Sequence, residues 1–454
     1  MNRRDFIKHS TAAVAGTSVL LTACRNKEQR DQVSGTIESD ASLMTYRVNP
    51  NSGDKVSLLG FGMMRLPVQA GGTARENPDS PIDQEAVNEM VDYALAHGVN
   101  YFDTSPAYCR GQSESSTGIA LARHPRKSYF IATKLSNFSP DTWSSKESKA
   151  IFERSLKYLQ TDYVDYLLLH GIGMSGGGKD GIGAFYGRYM DNGMLDWLVE
   201  QKEKGRIRNL GFSYHGDIKV FDMLLQWHDE GKYHWDFVQI ELNYLDWHYA
   251  DEINPRNTDA SYLYAELEKR GIPAVIMEPL LGGRLAKQPT HILREMKRMD
   301  IHATPAEWAF RYAGTPEKIL TVLSGMTYMD HLKENCRTFS PLRPVTGDED
   351  AMLMRLADAI CAMNAVPCTG CNYCMPCPYG INIPAIFSHY NNMLTEDNVP
   401  AKRWLNGYDR AVPKLRQADH CIGCDHCIPH CPQRINIPQE MQKIDNLVEQ
   451  LKQS

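Results

Sequence analysis

The sequence predicts an α/β chain in which a (β/α)8 TIM barrel is followed by a small, mainly helical and loop domain. Two observations predict this order. Eight apolar, strand-like segments alternate with helix-like segments between residues 56 and 339, and nine of the 12 cysteines fall at or after Cys361. Alternating strands and helices are typical of a parallel sheet covered by helices. Clustered cysteines indicate a local cysteine-based site.

Each predicted strand is an unbroken apolar run, as expected for parallel strands that are buried on both faces. The strands are Leu58–Gly60, Tyr101–Asp103, Tyr129–Leu135, Val164–His170, Ile207–Ser213, Phe237–Asn243, Ala274–Pro279 and Ile319–Gly325. Helical apolar spacing separates them. The helices include Asp83–His97, Glu114–Arg123, Ser145–Leu159, Met194–Lys204, Tyr262–Arg270, Pro305–Tyr312 and Met329–Thr338. A doubly wound open sheet is the alternative.

Polar residues at the strand ends favour the barrel. Asp103, Lys134 and His170 lie at the carboxyl ends of three successive predicted strands. In a barrel these ends meet at one mouth, where the active sites of such folds lie. We therefore expect the three side chains to lie together.

The N-terminal residues predict a targeting signal. Arg3 and Arg4 precede a mildly apolar run that ends at Cys24 and is too short to span a bilayer. This order resembles a twin-arginine export signal with a lipoprotein site at Cys24. It implies a periplasmic or cell-envelope protein held by lipid, whereas the alternative is a disordered basic tail. We place the signal at 1–24, a polar tether at 25–45, the barrel at 46–340 and the cysteine domain at 341–454.

The cysteine domain contains two similar runs. The second run, from Cys421 to Cys431 and Pro432, matches the bacterial ferredoxin spacing C-x2-C-x2-C-x3-C-P. The first, from Cys368 to Cys377, is one residue shorter before its fourth cysteine. Each run is followed by an Ile-Asn-Ile-Pro segment. The repeat predicts a ferredoxin-like domain with two [4Fe-4S] clusters that transfer electrons.

The ferredoxin spacing also predicts the ligand sets, because its fourth cysteine binds the other cluster. One set is Cys368, Cys371, Cys374 and Cys431, and the other is Cys421, Cys424, Cys427 and Cys377. Zinc knuckles and disulfides are the alternatives. Tandem four-cysteine runs ending in proline are unusual for zinc sites, and disulfides would not need the repeat.

Four segments of the barrel resemble the aldo-keto reductase family. They are Gly98-Val-Asn-Tyr-Phe-Asp103-Thr-Ser-Pro-Ala-Tyr108, Ala132-Thr-Lys134, Leu167-Leu-Leu-His170 and Glu334-Asn335. The resemblance covers about residues 56–339 and implies a catalytic tetrad of Asp103, Tyr108, Lys134 and His170. Lys134 is expected to lower the pKa of Tyr108, which is about 10 when free. Asp103 would orient Lys134, and His170 would place a carbonyl oxygen near the phenol.

The same resemblance implies an NAD(P) site. Ser213, Gln239, Glu334 and Asn335 match nicotinamide and adenosine positions, and residues 279–284 would lie near the pyrophosphate. Two residues depart from the family pattern, and the second departure weakens the case for NADP in particular. Met277 replaces an aromatic residue, and His331 replaces an arginine that grips the 2′-phosphate.

These features predict an exported oxidoreductase that interconverts a small carbonyl and an alcohol and exchanges electrons with a redox partner protein. Two alternatives remain open. In the first, the protein transfers electrons and its barrel is a docking scaffold. In the second, the protein is a reductase and the clusters only stabilise its C-terminus. The net charge of -6 and the lack of a basic stripe argue against nucleic-acid binding.

Overall fold

The computed structural model describes residues 41–254, 257–363, 365–396 and 399–453. Arg3, Arg4 and Cys24 lie outside the described residues, so the export signal and the lipid anchor stay predictions. None of the helices in the described part of the chain combines the length and the apolar character needed to cross a bilayer.

Eight parallel strands close into a barrel, which confirms the predicted fold and excludes the open sheet. The strands are β3 (Leu59–Gly62), β4 (Tyr101–Asp103), β5 (Phe130–Leu135), β6 (Val164–Ile172), β7 (Ile207–Tyr214), β8 (Phe237–Glu241), β9 (Ala274–Met277) and β10 (Ile319–Gly325). Each strand pairs with its sequence neighbour, and β10 pairs with β3 to complete the ring. All the carboxyl ends of the strands therefore meet at one mouth.

Helices surround the barrel and follow most of its strands. They are α1 (Gln84–Ala96), α2 (Ser113–Leu121), α3 (Ser145–Leu159), α4 (Gly181–Phe185), α5 (Met194–Glu203), α6 (Ile218–Asp229), α7 (Asp246–Ile253), α8 (Ala260–Lys269), α9 (Thr290–Met299), α10 (Pro305–Gly314) and α11 (Met329–Thr338). Their starts are fixed locally, for example by Asp83, which accepts a hydrogen bond from Ala86 N at 3.1 Å. A π-helical turn, Tyr186–Met190, extends α4.

Aromatic rings fill the barrel interior. Tyr166 lies 5.0 Å from both Tyr101 and Phe237, measured between ring centroids, and all three residues are buried. At the amino-terminal end, an antiparallel hairpin of β1 (Tyr46–Val48) and β2 (Lys55–Ser57) covers the opening. Sequence analysis missed this hairpin because each strand has only three residues. The interior is therefore a packed core, and any reaction chamber must lie at the opposite mouth.

The C-terminal domain has a core of its own. The helices that follow the barrel are α12 (Gly347–Cys361), α13 (Ile383–Leu394), α14 (Ala401–Ala411) and α15 (Ile437–Gln453). Phe387, Tyr408 and Met441 are buried between the last three helices. α12 belongs to the barrel side, because its Glu349 accepts a 2.6 Å bond from the buried guanidinium of Arg311 in α10. The loops that carry the cysteines lie between this domain core and the barrel mouth.

Candidate functional site

Four side chains named by the sequence converge at the barrel mouth. Asp103 ends β4, while Lys134 and His170 lie near the carboxyl ends of β5 and β6. Lys134 Nζ donates to Asp103 Oδ1 at 2.6 Å and to Thr104 O at 2.9 Å. It also lies 4.8 Å from the ring centroid of Tyr108. The structure thus brings the ammonium, the carboxylate and the phenol together.

The chain turns sharply after the phenol. Cys109 and Arg110 both adopt left-handed backbone conformations, with φ of 48° and 55°. Residues other than glycine rarely occupy this region, and such strain clusters at functional sites. The turn is short and 3₁₀-like, running from Tyr108 to Gly111. It holds the phenol at the mouth instead of letting the chain leave along the outside of the barrel.

The pKa of Tyr108 differs from the expectation. Burial raises the pKa of Tyr108 well above its usual value, and the nearby Asp103 carboxylate raises it further. Burial also raises the pKa of Asp103 and lowers that of Lys134, while their mutual attraction opposes both changes. The expected lowering of the Tyr108 pKa by Lys134 is therefore wrong for this structure. Asp103 offsets the charge of the ammonium, and burial disfavours the phenolate.

The imidazole of His170 is held by groups that sequence analysis did not select. Its Nδ1 lies 2.6 Å from Ser136 Oγ and 3.3 Å from Ser105 Oγ. Arg188, in the π-helical turn, donates to the main-chain oxygen of His170 at 2.5 Å. Burial, followed by the charge of Lys134, lowers the pKa of His170 well below its usual value. The ring is thus neutral near pH 7 and lies perpendicular to the Tyr108 ring, 6.0 Å away between centroids.

Two of the predicted nicotinamide residues lie side by side. Ser213 of β7 and Gln239 of β8 are register partners. Ser213 Oγ accepts a bond from Gly171 N at 2.9 Å, whereas Gln239 Oε1 is buried and has no hydrogen-bond partner among the described residues. An amide oxygen with free capacity suits a polar ligand at this position.

The adenosine end is arranged differently. Asn335 donates to Ser324 Oγ at 2.9 Å, and Glu334 accepts a 2.6 Å bond from Thr304. Both side chains of the predicted pair therefore already have protein partners. His331 lies against Tyr328, with ring centroids 5.2 Å apart.

The loop expected to face a pyrophosphate is covered by the C-terminal domain. Gly282 has φ of 65°, and a Cβ built on it would lie 2.6 Å from Thr369 Cα. At Gly282 this approach leaves no room for a diphosphate between the two backbones, whereas nothing lies within 4 Å of a Cβ built on Gly283. A diphosphate therefore does not fit at Gly282 in this structure, and we derive no step through a dinucleotide.

The two cysteine runs form the same kind of loop. Gly370 and Gly423 have φ of 58° and 71°, and Asn372 and Asp425 have φ of 65° and 58°. Glycine meets no steric penalty in the left-handed region, and Asn and Asp tolerate it better than other residues. Main-chain N–H groups point to sulfur in these loops, as when Gly370 N donates to Cys368 Sγ at 3.3 Å. The internal repeat seen in the sequence is therefore also a structural repeat.

The electrostatic interactions among the cysteines mostly follow the two predicted sets. Cys371 and Cys374 each interact with Cys368 and Cys431, and Cys374 also interacts with Cys427 of the other set. Cys427 interacts in the same way with the members of the other set, and one cavity is lined by all four of them: Cys377, Cys421, Cys424 and Cys427. Each set thus takes its fourth thiol from the opposite run. We call them the inner set, which contains Cys368, and the outer set, which contains Cys421.

The chemistry of both sets fits iron–sulfur clusters. All eight cysteines are free thiols, so the disulfide alternative finds no support among them. Burial raises the pKa of Cys371 to about 12 and that of Cys427 to about 11, so buried thiolates here need a cation. Within the described part of the chain, no three His, Cys, Asp or Glu side chains converge closely enough to bind one metal ion. A [4Fe-4S] cluster does not require such convergence, since each thiolate binds a different iron.

The inner set lies over the barrel mouth. Arg65 of the barrel donates to Thr369 O at 3.2 Å, and Arg75 donates to the same oxygen. Asn372 donates back to Arg75 O at 2.8 Å. Tyr373, next in the loop, is close enough to Tyr108 to raise the pKa of its phenol. The first cysteine run therefore contacts the tetrad side of the mouth directly.

The second run holds the other side of the mouth. Gln433 donates to Glu241 Oε1 at 3.3 Å at the end of β8. Arg434 donates to Ser175 Oγ at 2.9 Å, in the glycine-rich loop that follows β6. No motif marks these contact residues, which are ordinary polar side chains in the sequence.

Known proteins resemble part of this chain. L-galactose dehydrogenase of Arabidopsis thaliana is 25% identical over 326 residues, 66% of this chain and 90% of that protein. D-arabinose 1-dehydrogenase of Saccharomyces cerevisiae is 30% identical over 181 residues, 38% of this chain and 47% of that protein. A solved aldo-keto reductase from Bacillus halodurans, in its holo form, has a TM-score of 0.53 at 23% identity and shares the fold. The match covers 69% of this chain and 96% of that one.

Two family descriptions divide the sequence. Residues 367–436 match a 4Fe-4S dicluster domain, which includes both cysteine runs. Residues 58–348 match the Aldo/keto reductase family, which covers the closed barrel and every member of the tetrad. The chain belongs to the aldo/keto reductase family and ends in a 4Fe-4S dicluster domain.

Proposed function

We propose that this oxidoreductase interconverts a carbonyl and an alcohol at the barrel mouth and exchanges the electrons through two [4Fe-4S] clusters with a redox partner protein. The position of the inner cysteine set above the tetrad carries the proposal. An iron–sulfur cluster bound there supplies one-electron transfer. A carbonyl and its alcohol differ by two electrons and two protons, one on oxygen and one on carbon, and each cluster passes one electron at a time, so a two-electron carrier of the flavin or nicotinamide class must couple the clusters to the substrate.

The tetrad residues handle the substrate oxygen and its proton. Tyr108 exchanges a proton with that oxygen. His170 is neutral and uses Nδ1 toward Ser136, which leaves Nε2 to hydrogen-bond the same oxygen. Lys134 stays fixed by Asp103 at 2.6 Å and places positive charge beside the phenol ring. A positive charge held in a buried site stabilises the oxygen anion that forms during the reaction.

The names of two relatives point to sugars as the substrate class. We therefore choose L-galactose and D-arabinose as first probes, with simple aldehydes, NADH and NADPH beside them. Cluster-replete, full-length protein is mixed with each compound under anaerobic conditions, and the visible absorbance of the clusters is followed. We expect at least one sugar or aldehyde to change the oxidation state of the clusters. If no compound does so, the proposed relay is wrong.

Tyr108→Phe removes the proton donor and keeps the ring. We expect it to slow the absorbance change about 10²- to 10⁴-fold, the usual contribution of general acid–base catalysis. Iron content and unfolding midpoint should remain those of the wild type, which serves as the control for folding.

The docking-scaffold function remains the second candidate, favoured by the close contact of Gly282 and Thr369 over the predicted cofactor loop. It predicts equal rates for Tyr108→Phe and the wild type with a reduced partner protein.

Export by the twin-arginine route and a lipid anchor at Cys24 complete the proposal, supported by Arg3, Arg4 and the apolar run that follows. That route moves folded proteins, so a chain that receives its clusters in the cytoplasm could use it. Cell fractionation with mass spectrometry of Cys24 tests this part. A cytoplasmic protein with an unmodified Cys24 would contradict it.

A further inference from the structure

Two arginines of the barrel lie against the inner cysteine set. The Arg75 guanidinium packs on the loop between Cys368 and Cys371, so closely that a Cβ on Gly370 would lie 1.2 Å from Arg75 Nη2. Its charge acts on both of these cysteines. Arg284, in the loop after β9, also acts on Cys368.

The second arginine has free hydrogen-bonding capacity. Arg284 Nη1 is buried and has no hydrogen-bond partner among the described residues. A buried guanidinium N–H without a partner is rare and indicates a group that the side chain is placed to meet. The thiolates and sulfide of a cluster are acceptors of this kind.

Nearby carboxyl groups do not fully offset these charges. Asp246 and Glu278 are the acidic groups that act most strongly on Arg284 and Arg75, respectively. Burial raises the pKa of Glu278 and that of Asp246, the latter strongly, which favours their neutral forms. The inner set therefore lies in a positive field.

The outer set has different surroundings. Cys424 is exposed, and its neighbour Ile422 is 63% exposed. The charges that act on Cys427 are those of other cysteines of its own set. No cysteine of the inner set is exposed, although three of the four are only partly buried, so water screens charges near Cys424 more than at the inner set. The two sets thus differ in charge environment as well as in depth.

We propose that Arg75 and Arg284 raise the reduction potential of the inner cluster and so offset part of the effect of its burial. The inference rests on the proposed pair of clusters. A reduced cluster carries one more negative charge than an oxidised one, and nearby buried cations stabilise the reduced form.

The test is an EPR-monitored redox titration of cluster-replete, full-length protein. For Arg75→Gln and Arg284→Gln separately, we expect reduction of the inner cluster to become about tenfold less favourable, which is about 59 mV for a one-electron couple. The outer cluster should not change. Cys424→Ser identifies the outer signal, because Cys424 belongs only to that set.

Two control variants separate the effect of losing the arginine charge from structural damage caused by the substitution. Arg75→Lys keeps the charge and should retain most of the wild-type potential. Arg123→Gln removes an arginine that pairs with Asp92 far from the cysteines and should shift neither signal. Glutamine variants that match the Arg123→Gln control overturn the inference while the clusters stand. A preparation without iron overturns the proposed function itself, and iron analysis distinguishes the two results.

Discussion

Replacing Gly282 with alanine should loosen the contact between the barrel and the inner cysteine loop. The substitution has two costs. Alanine at φ of 65° costs about 1–2 kcal/mol, because its Cβ crowds the backbone in the left-handed region. The same Cβ would lie 2.6 Å from Thr369 Cα and 2.9 Å from Thr369 Cβ, and overpacking of this kind costs about 1–3 kcal/mol.

Gly283 offers a matched control in the adjacent position. Its φ is 95°, so Gly283→Ala should carry a similar backbone cost, but nothing lies within 4 Å of the built Cβ. The difference between the two variants therefore isolates the contact with Thr369. A difference of about 1–3 kcal/mol corresponds to about a 5- to 150-fold change in an opening equilibrium.

Native-state hydrogen exchange is the appropriate assay, because it reports local opening of the loop at residues 369–373. We expect the amides of this loop to exchange about 5- to 150-fold faster in Gly282→Ala than in Gly283→Ala. Amides inside the barrel strands should not differ between the two variants. Equal exchange of the loop in both variants would refute the idea that this contact holds the cysteine loop on the barrel.

Two further predictions concern buried charges. Glu349→Gln leaves the buried Arg311 without its anion and should lower the free energy of unfolding by about 3–5 kcal/mol in urea, whereas Glu295→Gln, in an exposed pair with Arg298, should have no measurable effect. Because burial depresses the pKa of His170, the unfolded chain binds a proton there below about pH 6.5 and the folded chain does not. The contribution of this residue to the free energy of unfolding should therefore fall by about 1.4 kcal/mol per pH unit as the pH drops below 6.5. His170→Gln should remove that part of the pH dependence. Identical slopes in the variant and the wild type would contradict a neutral imidazole in the folded protein.

The barrel could be predicted because its strands are unbroken apolar runs whose polar residues fall at one end. Short elements gave no such signal. β1 and β2 have three residues each, and the π-helical turn that contains Arg188 differs from an α-helix only in its hydrogen bonds.

The site could be predicted only where residue type and spacing carry the chemistry. Asp103, Lys134 and His170 follow from strand ends, and the cysteine sets follow from their spacing. The pKa of Tyr108 could not be predicted, because it depends on burial and on the balance between Lys134 and Asp103. The contacts of Thr369 and Gln433 with the barrel mouth could not be predicted either, because single polar groups that are far apart in the sequence form them.

The exchange of fourth thiols between the runs has a consequence for biogenesis. Cys377 belongs to the outer set and Cys431 to the inner set, although the two are more than 50 positions apart. A ribosome that has released only the first run has therefore made three ligands of one metal centre and a single ligand of the other. The outer set is complete only when Cys427 has emerged and the inner set only when Cys431 has, so a truncation before Cys421 should yield a protein that lacks both centres.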